Sequence, residues 1–333
     1  MKITILGAGT WGIALARMLT VSGHEVTVWS AIEKEITDLA ATHRHPHLPD
    51  VEIPADIFLT TDIESACAGC KILLFAVPSV FVRSTAKNAL SSIPDHITIV
   101  DVAKGIEPGT HLYMSQILEE VLHSDGRHEH VSVVALSGPT HAEEVARDLP
   151  TTIVAASSDA EAARLVQDTF SNNCMRVYTN GDVHGVELCG ALKNVIALAA
   201  GVSKGLGFGD NTKAALITRG MSEIMRLGVR MGYEESTFYG LAGIGDLIVT
   251  CTSVHSRNNR AGELIGSGMS AEEATQAVGM VVEGLNALPA AMELSCKYGV
   301  ELPICSAVDR IVKGIETPKD SVRSLMMREY KAE

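Results

Sequence analysis

Apolar residues recur along the first half of the chain in two alternating patterns. Short runs rich in β-branched residues predict strands at 3–6, 26–29, 71–77, 97–102, 131–136 and 152–156. Helix-forming stretches between them lie at 79–90, 110–123 and 159–170. Because strands and helices alternate, we expect a doubly wound, mostly parallel sheet. The almost wholly apolar run at 71–77 predicts a central strand that is covered on both faces.

The pattern changes near 178–182, after which strand patterns almost disappear. The later apolar residues follow helical spacing, which predicts helices at 183–203, 211–231, 257–266, 270–278, 283–298 and 304–314. The run Asp210-Asn211-Thr212 is typical of a helix N-cap. We therefore expect two domains, with residues 1–180 forming the α/β domain and residues 181–333 an all-helical one.

A glycine-rich turn, Gly7-Ala8-Gly9-Thr10-Trp11-Gly12, joins the first predicted strand to the first helix. Gly7 permits the tight turn, Gly9 lets the backbone approach a pyrophosphate, and Gly12 allows close packing of the helix. The N–H groups at the helix N-terminus favour a phosphate charge. A turn without a ligand is the alternative, but strand, turn, helix and second strand follow in the order that a dinucleotide fingerprint requires. The first domain is therefore predicted to be an NAD(P)-binding Rossmann domain.

Composition narrows the function classes. The formal net charge of −13 argues against nucleic acid as a partner, because phosphate contacts need clustered cations. No apolar run approaches the ~20 residues that span a bilayer, so no membrane insertion is expected. The first strand begins directly after Met1 without the basic segment of a signal peptide, which favours a cytoplasmic location.

Cysteine and histidine patterns do not predict a metal site. The seven cysteines are scattered and odd in number, as in a reduced intracellular protein. Cys67 and Cys70 form a C-x-x-C pair with no second pair at zinc spacing, which favours a structural role. Alternating histidines at 43, 45 and 47 could bind a metal, but a solvated loop is the more frequent interpretation.

One lysine lies within an almost wholly apolar helix. Lys193 and Asn194 are the strongly polar residues of the stretch 188–200. A buried ammonium is costly, and a lysine shifted toward neutrality can exchange a proton with an alcohol or carbonyl oxygen. A lysine that extends from a helix edge to solvent is the alternative, and the helix alone does not decide between them.

Other polar residues follow glycine turns. Asp246 follows the turn 243–245, and Ser256 could cap a helix whose first turn carries Arg257 and Asn258. Such an N-terminus suits a phosphate, although a solvated capped helix has the same pattern. Lys104 and the run 137–144 come directly after predicted strands, at the sheet edge where ligands bind.

Seven motifs together resemble the bacterial type of NAD(P)-dependent glycerol-3-phosphate dehydrogenase over residues 3 to about 313. These are GAGTWG, AKG, SGPTHAEE, ELCGALKNVIALAAG, DNTKAALITRG, LAGIGDLIVTCTS-HSRNNR and VVEG, and they occur in the family's order.

The resemblance implies interconversion of sn-glycerol 3-phosphate and dihydroxyacetone phosphate, with NAD or NADP as coenzyme, supplying glycerol 3-phosphate for phospholipid synthesis. Lys193 would be the catalytic proton carrier, and Asp246 would position Lys193 and the substrate. The residues implied in substrate binding are Lys104, Gly138, Thr140, Lys193, Asp246, Ser256, Arg257 and Asn258. Those implied in coenzyme binding are Gly7, Gly9, Thr10, Trp11, Gly12, His47, Lys104, Ala142, Arg257, Val281 and Glu283. A homodimer is one option for the oligomeric state.

Two positions depart from the family pattern. Ser30-Ala31-Ile32 offers neither an acid for a ribose hydroxyl nor an arginine for a 2′-phosphate, so the choice between NAD and NADP stays open. His47 stands where the family usually has an aromatic residue. A β-hydroxyacid or 6-phosphogluconate-type dehydrogenase and a non-catalytic nicotinamide-nucleotide sensor are the alternative functions, and the segment 256–260 and the combined presence of Lys193, Asp246 and Arg257 argue against them.

Overall fold

The computed structural model describes residues 1–330 and 332 of the chain. Its described residues form one eight-stranded sheet in the order β3-β2-β1-β4-β5-β6-β7-β8. Neighbouring strands are parallel except for β6 and β7, which are antiparallel. The strands are β1 (Lys2–Leu6), β2 (Glu25–Trp29), β3 (Phe58–Thr60), β4 (Ile72–Phe75), β5 (Thr98–Asp101), β6 (Ser132–Ser137), β7 (Thr151–Ala156) and β8 (Met175–Asn180).

Seven α-helices accompany the sheet: α1 (Thr10–Val21), α2 (Glu33–Thr42), α3 (Ile63–Cys67), α4 (Val82–Ala89), α5 (Met114–His123), α6 (Ala142–Val145) and α7 (Ala160–Phe170). The later α-helices are α8 (Val183–Gly205), α9 (Asp210–Met231), α10 (Glu235–Phe238), α11 (Asp246–Thr252), α12 (Arg257–Gly266), α13 (Ala271–Val278), α14 (Glu283–Tyr298), α15 (Pro303–Val312) and α16 (Pro318–Met326). Short 3-10 turns at Ser79–Phe81 and Leu90–Ser92 and a π-helical turn at Leu241–Gly245 complete the assignment.

The chain divides into two compact units. The first contains Met1–Lys104 and Leu112–Val183, and the second contains Gly105–His111 and the chain from His184 onward. The sequence boundary near residue 180 lies within a few residues of the main division, but the sequence pattern did not separate the segment 105–111 from its neighbours. That segment belongs to the helical unit because its contacts are with that unit. Such contacts cannot be read from a pattern of apolar positions.

The sheet unit has an apolar layer on each face of the sheet. Alternate residues of β4 serve the two layers: Ile72 and Leu74 pack in one core, and Leu73 and Phe75 in the other. This follows from the two-residue period of a strand. The central strand predicted at 71–77 is confirmed, and its side chains from Ile72 to Phe75 are wholly buried.

Two strands are absent from the sequence prediction, namely β3 and β8 at the two edges of the sheet. Phe58 of β3 is half exposed, and β8 alternates buried and exposed side chains in its first four residues. A central strand is covered on both faces and so reads as a nearly continuous apolar run, whereas an edge strand is partly exposed and its apolar pattern is weaker.

Helix α8 is the core of the helical unit, and 19 of its 23 residues are buried. By length and composition it could cross a membrane, contrary to the expectation from sequence, and the bent pair Glu235–Thr252 and Arg257–Gly266 passes the same test. The apolar window of α8 is wholly buried within the protein, as in the core helix of a globular domain.

Close backbone contact joins α8 to α12. An added Cβ at Gly262 would lie 2.1 Å from the carbonyl oxygen of Leu198, and one at Gly201 would lie 2.0 Å from that of Asn259. The predicted helices at 257–266 and 283–298 are confirmed residue for residue. The N-cap of α9 is Gly209, so Asp210 is the first helical residue rather than part of a three-residue cap.

Candidate functional site

The glycine turn leaves β1 and enters α1 as the fingerprint predicts. Gly7 has φ +124°, a conformation that side chains disfavour, and its N–H donates to the carbonyl of Trp29 at 2.8 Å. A Cβ on Gly12 would lie 2.2 Å from the Gly7 carbonyl oxygen. Gly12 therefore allows the helix to begin directly against the turn.

The N-terminus of α1 has the features of a pyrophosphate site. Its N-cap, Gly9, supplies no side-chain cap, and an added Cβ there would meet open space. The Thr10 hydroxyl oxygen is buried and has no hydrogen-bond partner among the described residues. An orphaned buried hydroxyl beside unpaired helix N–H groups fits a phosphate ligand. Trp11, the next residue, packs partly buried against the core.

Lys104, Gly138 and Thr140 meet at the carboxyl ends of β5 and β6. The ammonium of Lys104 donates to the Gly138 carbonyl at 3.2 Å, and the Thr140 hydroxyl donates to the same oxygen at 3.2 Å. The Ser137 hydroxyl is buried there without a partner among the described residues. Ala142 begins α6 and is half-buried.

His47 lies exposed in the loop after α2. Its neighbour His45 is buried, and Nδ1 of that ring accepts the His47 N–H at 3.2 Å. Burial, with His47 nearby, lowers the pKa of His45 to about 4, although a hydrogen bond to the backbone of Ala8 opposes the shift. His45 is therefore neutral near pH 7 and touches the glycine turn, a contact that the sequence did not indicate.

In the helical unit, three polar side chains meet in an apolar interior. The ammonium of Lys193 on α8 donates to Oδ1 of Asp246 and, at 2.8 Å, to Oγ1 of Thr250, both on α11. Lys193 is 5% exposed and Asp246 1% exposed. The interpretation of Lys193 as a lysine extending to solvent is wrong, because the side chain is buried and ion-paired.

A second polar group ties three helices together. The Asn258 amide on α12 donates to Oδ1 of Asn194 on α8 at 2.9 Å, and its own oxygen accepts the Gly284 N–H on α14 at 2.9 Å. Ser256 is the N-cap of α12, as predicted, and accepts the Asn259 N–H.

The remaining predicted residues lie at helix starts of the same unit. Arg257 is the first residue of α12 and is exposed, with no hydrogen bond to its guanidinium among the described residues. Val281 lies half-buried before α14, and Glu283 is the first residue of that helix.

Comparisons with known proteins agree on one family across both units. The N-terminal model of NAD-dependent glycerol-3-phosphate dehydrogenase matches residues 2–163, and the C-terminal model matches residues 182–323. The chain belongs to this family. Its members include "Glycerol-3-phosphate dehydrogenase [NAD(P)+] 2" of Lactobacillus delbrueckii subsp. bulgaricus, 61% identical over 332 residues, which are 100% of this chain and 98% of that protein.

Two further relatives agree. The glycerol-3-phosphate dehydrogenase [NAD(P)+] of Bacillus pumilus is 49% identical over 328 residues, covering 98% of this chain and 94% of that protein. The crystal structure of glycerol-3-phosphate dehydrogenase from Coxiella burnetii superimposes with a TM-score of 0.91 at 36% identity, covering 98% of this chain and 99% of that one. The predicted resemblance, the fold class and the class of NAD(P)-dependent oxidoreductase are confirmed.

Thr250 was not among the predicted site residues, although its hydroxyl accepts a hydrogen bond from the buried Lys193 ammonium. A signal was present, because Thr250 follows Asp246 by four residues and so shares its face of a helix. Asp246 was expected directly after a glycine turn, and the apolar positions did not show that it begins α11. The role of Asn194 as the partner of Asn258 was missed because those residues are 64 positions apart.

Proposed function

We propose that this chain interconverts dihydroxyacetone phosphate and sn-glycerol 3-phosphate with NAD(H) or NADP(H), and so supplies glycerol 3-phosphate for glycerophospholipid synthesis. The observation that carries the proposal is the buried Lys193–Asp246–Thr250 group in a chain whose two halves both match the family. Residues 1–180 would form the NAD(P)-binding domain, and residues 181–333 the helical substrate-binding and catalytic domain.

Lys193 is the proton carrier of this proposal. Reduction of dihydroxyacetone phosphate delivers a hydride to C2 and a proton to the oxygen on C2, and oxidation reverses both transfers. The reduced nicotinamide supplies the hydride when it is bound. The Lys193 ammonium supplies the proton, and Asp246 and Thr250 hold Nζ in one orientation. A positioned acid of this kind contributes roughly 10²–10⁴ in rate.

Arg257 is the proposed phosphate contact. Its guanidinium has no hydrogen bond among the described residues, and it stands in the first turn of α12, where backbone N–H groups favour an anion. Ser256 caps the helix, and Asn258 is held by Asn194 and Gly284. We expect Ser256 and Asn258 to bind substrate with their remaining hydrogen-bond capacity, and the phosphate to orient C2 as a remote handle.

We also propose which residues bind the coenzyme. Gly7, Gly9, Thr10, Trp11 and Gly12 would hold the pyrophosphate through backbone N–H groups and the free Thr10 hydroxyl. Further contacts are assigned to His47, Lys104, Ala142, Arg257, Val281 and Glu283, and substrate contacts to Lys104, Gly138 and Thr140.

A cytoplasmic location and a homodimer complete the proposal. The location is supported by seven scattered cysteines, none of them in a disulfide. We expect neither membrane insertion nor nucleic acid as a partner, and a light-scattering mass of the purified protein tests the homodimer.

Steady-state kinetics test the function. Purified protein should oxidise NADH or NADPH on addition of dihydroxyacetone phosphate. It should not do so with the β-keto acids that a β-hydroxyacid dehydrogenase would reduce, or with the keto product of 6-phosphogluconate oxidation. Lys193→Met should lower kcat by about 10²–10⁴ while binding of the reduced coenzyme, followed by its fluorescence, is unchanged. Lys204→Met is the matched control, since this half-exposed lysine lies on the same helix. Near-normal kcat in Lys193→Met would refute the assignment.

A further inference from the structure

The end of β2 carries a carboxylate that the linear sequence does not place there. The Ser30 hydroxyl donates to Oε2 of Glu35 at 2.6 Å, across the start of α2. We propose that Glu35, held by Ser30, is the residue that selects NAD(H) over NADP(H). This inference rests on the proposed function and specifies its coenzyme.

The position of Ser30 follows from the sheet. Strands β1 and β2 pair in parallel with Leu6 opposite Trp29, and the Gly7 N–H donates to the Trp29 carbonyl at 2.8 Å. Ser30, which follows Trp29 at the end of β2, therefore lies directly beside the glycine turn. In dinucleotide-binding folds this strand end faces the ribose next to the adenine, where a carboxylate accepts a hydrogen bond from the 2′-hydroxyl.

Ser30 is built to hold the carboxylate. It is 4% exposed, donates its hydroxyl proton to Glu35, and accepts the Ile32 N–H at 3.1 Å. Its donor capacity is therefore used by Glu35 alone. The second carboxylate oxygen of Glu35 has no hydrogen bond among the described residues, and the side chain is half-exposed. That oxygen can accept from a ribose hydroxyl.

The charges around this carboxylate oppose a 2′-phosphate. Glu33 adds a second negative charge in the first turn of α2. Lys34 is ion-paired with Asp38 at 2.6 Å, so its charge is compensated. Arg44, in the loop after α2, donates to the Pro49 carbonyl at 2.6 Å. The neutral His45 adds no positive charge. The negative charges of this segment belong to Glu33, Glu35 and Asp38. The positive charges belong to Lys34 and to Arg44, whose hydrogen bond to a neutral carbonyl does not cancel its charge. The segment is therefore net negative, and a doubly charged phosphate beside Glu35 would be repelled, which at a few ångströms corresponds to roughly tenfold or more in affinity.

The sequence left this choice open because Ser30-Ala31-Ile32 contains no acid. The structure supplies it from Glu35, one helical turn later, through the Ser30 hydroxyl. The specificity thus depends on a side-chain contact between residues five apart, not on the residue at the strand end itself.

Calorimetric binding of two coenzyme fragments tests the proposal without turnover. ADP-ribose and 2′-phospho-ADP-ribose should differ at least about tenfold in Kd, with ADP-ribose tighter. Glu35→Gln keeps the size and a hydrogen-bond acceptor but removes the charge, and should narrow the ratio by about tenfold. Glu33→Gln removes an equal charge from the same helical turn without the Ser30 contact, and should narrow it by less than about threefold.

Three results would overturn the inference: equal affinities in the parent protein, tighter binding of the 2′-phosphate, or equal shifts in the two variants. The proposed function fails by a different observation. If dihydroxyacetone phosphate is reduced equally well with NADPH, only the coenzyme assignment falls. If ADP-ribose is selected but no dihydroxyacetone phosphate is reduced, the substrate assignment falls and the role of Glu35 stands.

Discussion

The buried ion pair between Lys193 and Asp246 makes opposite predictions for single and double replacements. Lys193→Met leaves the Asp246 carboxylate without its charge partner, and Asp246→Leu leaves the Lys193 ammonium without a carboxylate partner. Because the two side chains are 5% and 1% exposed, water cannot replace the lost partner. Each single replacement should therefore lower the free energy of unfolding by about 3–5 kcal/mol.

The double replacement Lys193→Met with Asp246→Leu removes both charges and fills the same space with apolar atoms. Thr250 keeps a partner, because its hydroxyl also donates to the backbone carbonyl at position 246 at 2.6 Å. The double variant should therefore be within about 1 kcal/mol of the parent in stability. Its kcat should nevertheless stay about 10²–10⁴ below that of the parent, since the proton carrier is gone.

Urea unfolding of the four proteins, followed by circular dichroism at 222 nm, gives the coupling energy of the pair. The exposed pair Lys204–Glu263 on α8 and α12 is the control, and its Met and Leu replacements should each change stability by less than about 1 kcal/mol. Strictly additive losses in the Lys193 and Asp246 double variant would refute the reasoning, since the two charges would then not depend on each other. Restored kcat in that variant would remove Lys193 from the chemistry.

Three further predictions concern other parts of the chain. Burial raises the pKa of Glu223 to about 7, against two backbone N–H donors at the start of α15, while in the unfolded chain the value returns to its ordinary 4.5. Stability should therefore fall by up to about 3 kcal/mol as pH rises from about 4.5 to about 7, and Glu223→Gln should flatten this profile in urea titrations; a profile unchanged by the substitution would contradict the argument. Gly12→Ala places a Cβ 2.2 Å from the Gly7 carbonyl oxygen, so coenzyme affinity measured by fluorescence should fall at least about tenfold, and unaltered affinity would mean that the turn relaxes freely. Arg257→Ala should raise the KM for dihydroxyacetone phosphate by about tenfold or more while coenzyme fluorescence still reports binding, and an unchanged KM and kcat would remove Arg257 from the site.

The glycine turn and its flanking elements were predictable because their determinants are local. Positive φ at Gly7, close approach at Gly12 and an apolar strand before them are properties of neighbouring residues. The helices at 257–266 and 283–298 were likewise predictable from spacing, with Ser256 as the cap of the first. The edge strands β3 and β8 were not, because a half-exposed edge carries little apolar pattern.

The candidate site likewise has features that the sequence predicted and features that only the structure shows. The family resemblance implied that Asp246 positions Lys193, and in the structure these two side chains form a buried ion pair. The sequence did not indicate that Thr250 also accepts a hydrogen bond from the Lys193 ammonium. Asn258 was assigned to substrate from its motif, while its side chain in the structure also joins α8 to α14 through Asn194 and Gly284.

By itself the sequence determined the alternation of central strands and helices, the change to an all-helical second half, the dinucleotide fingerprint and the family, because these depend on residue types at short spacing. Tertiary structure alone decided that Lys193 is buried and paired across 53 residues, and that Glu35 lies at the end of β2 in contact with Ser30. The physical reason is that a charge is stabilised or opposed by whatever surrounds it in space. Those neighbours are brought together by the packing of whole elements and do not appear in any local pattern.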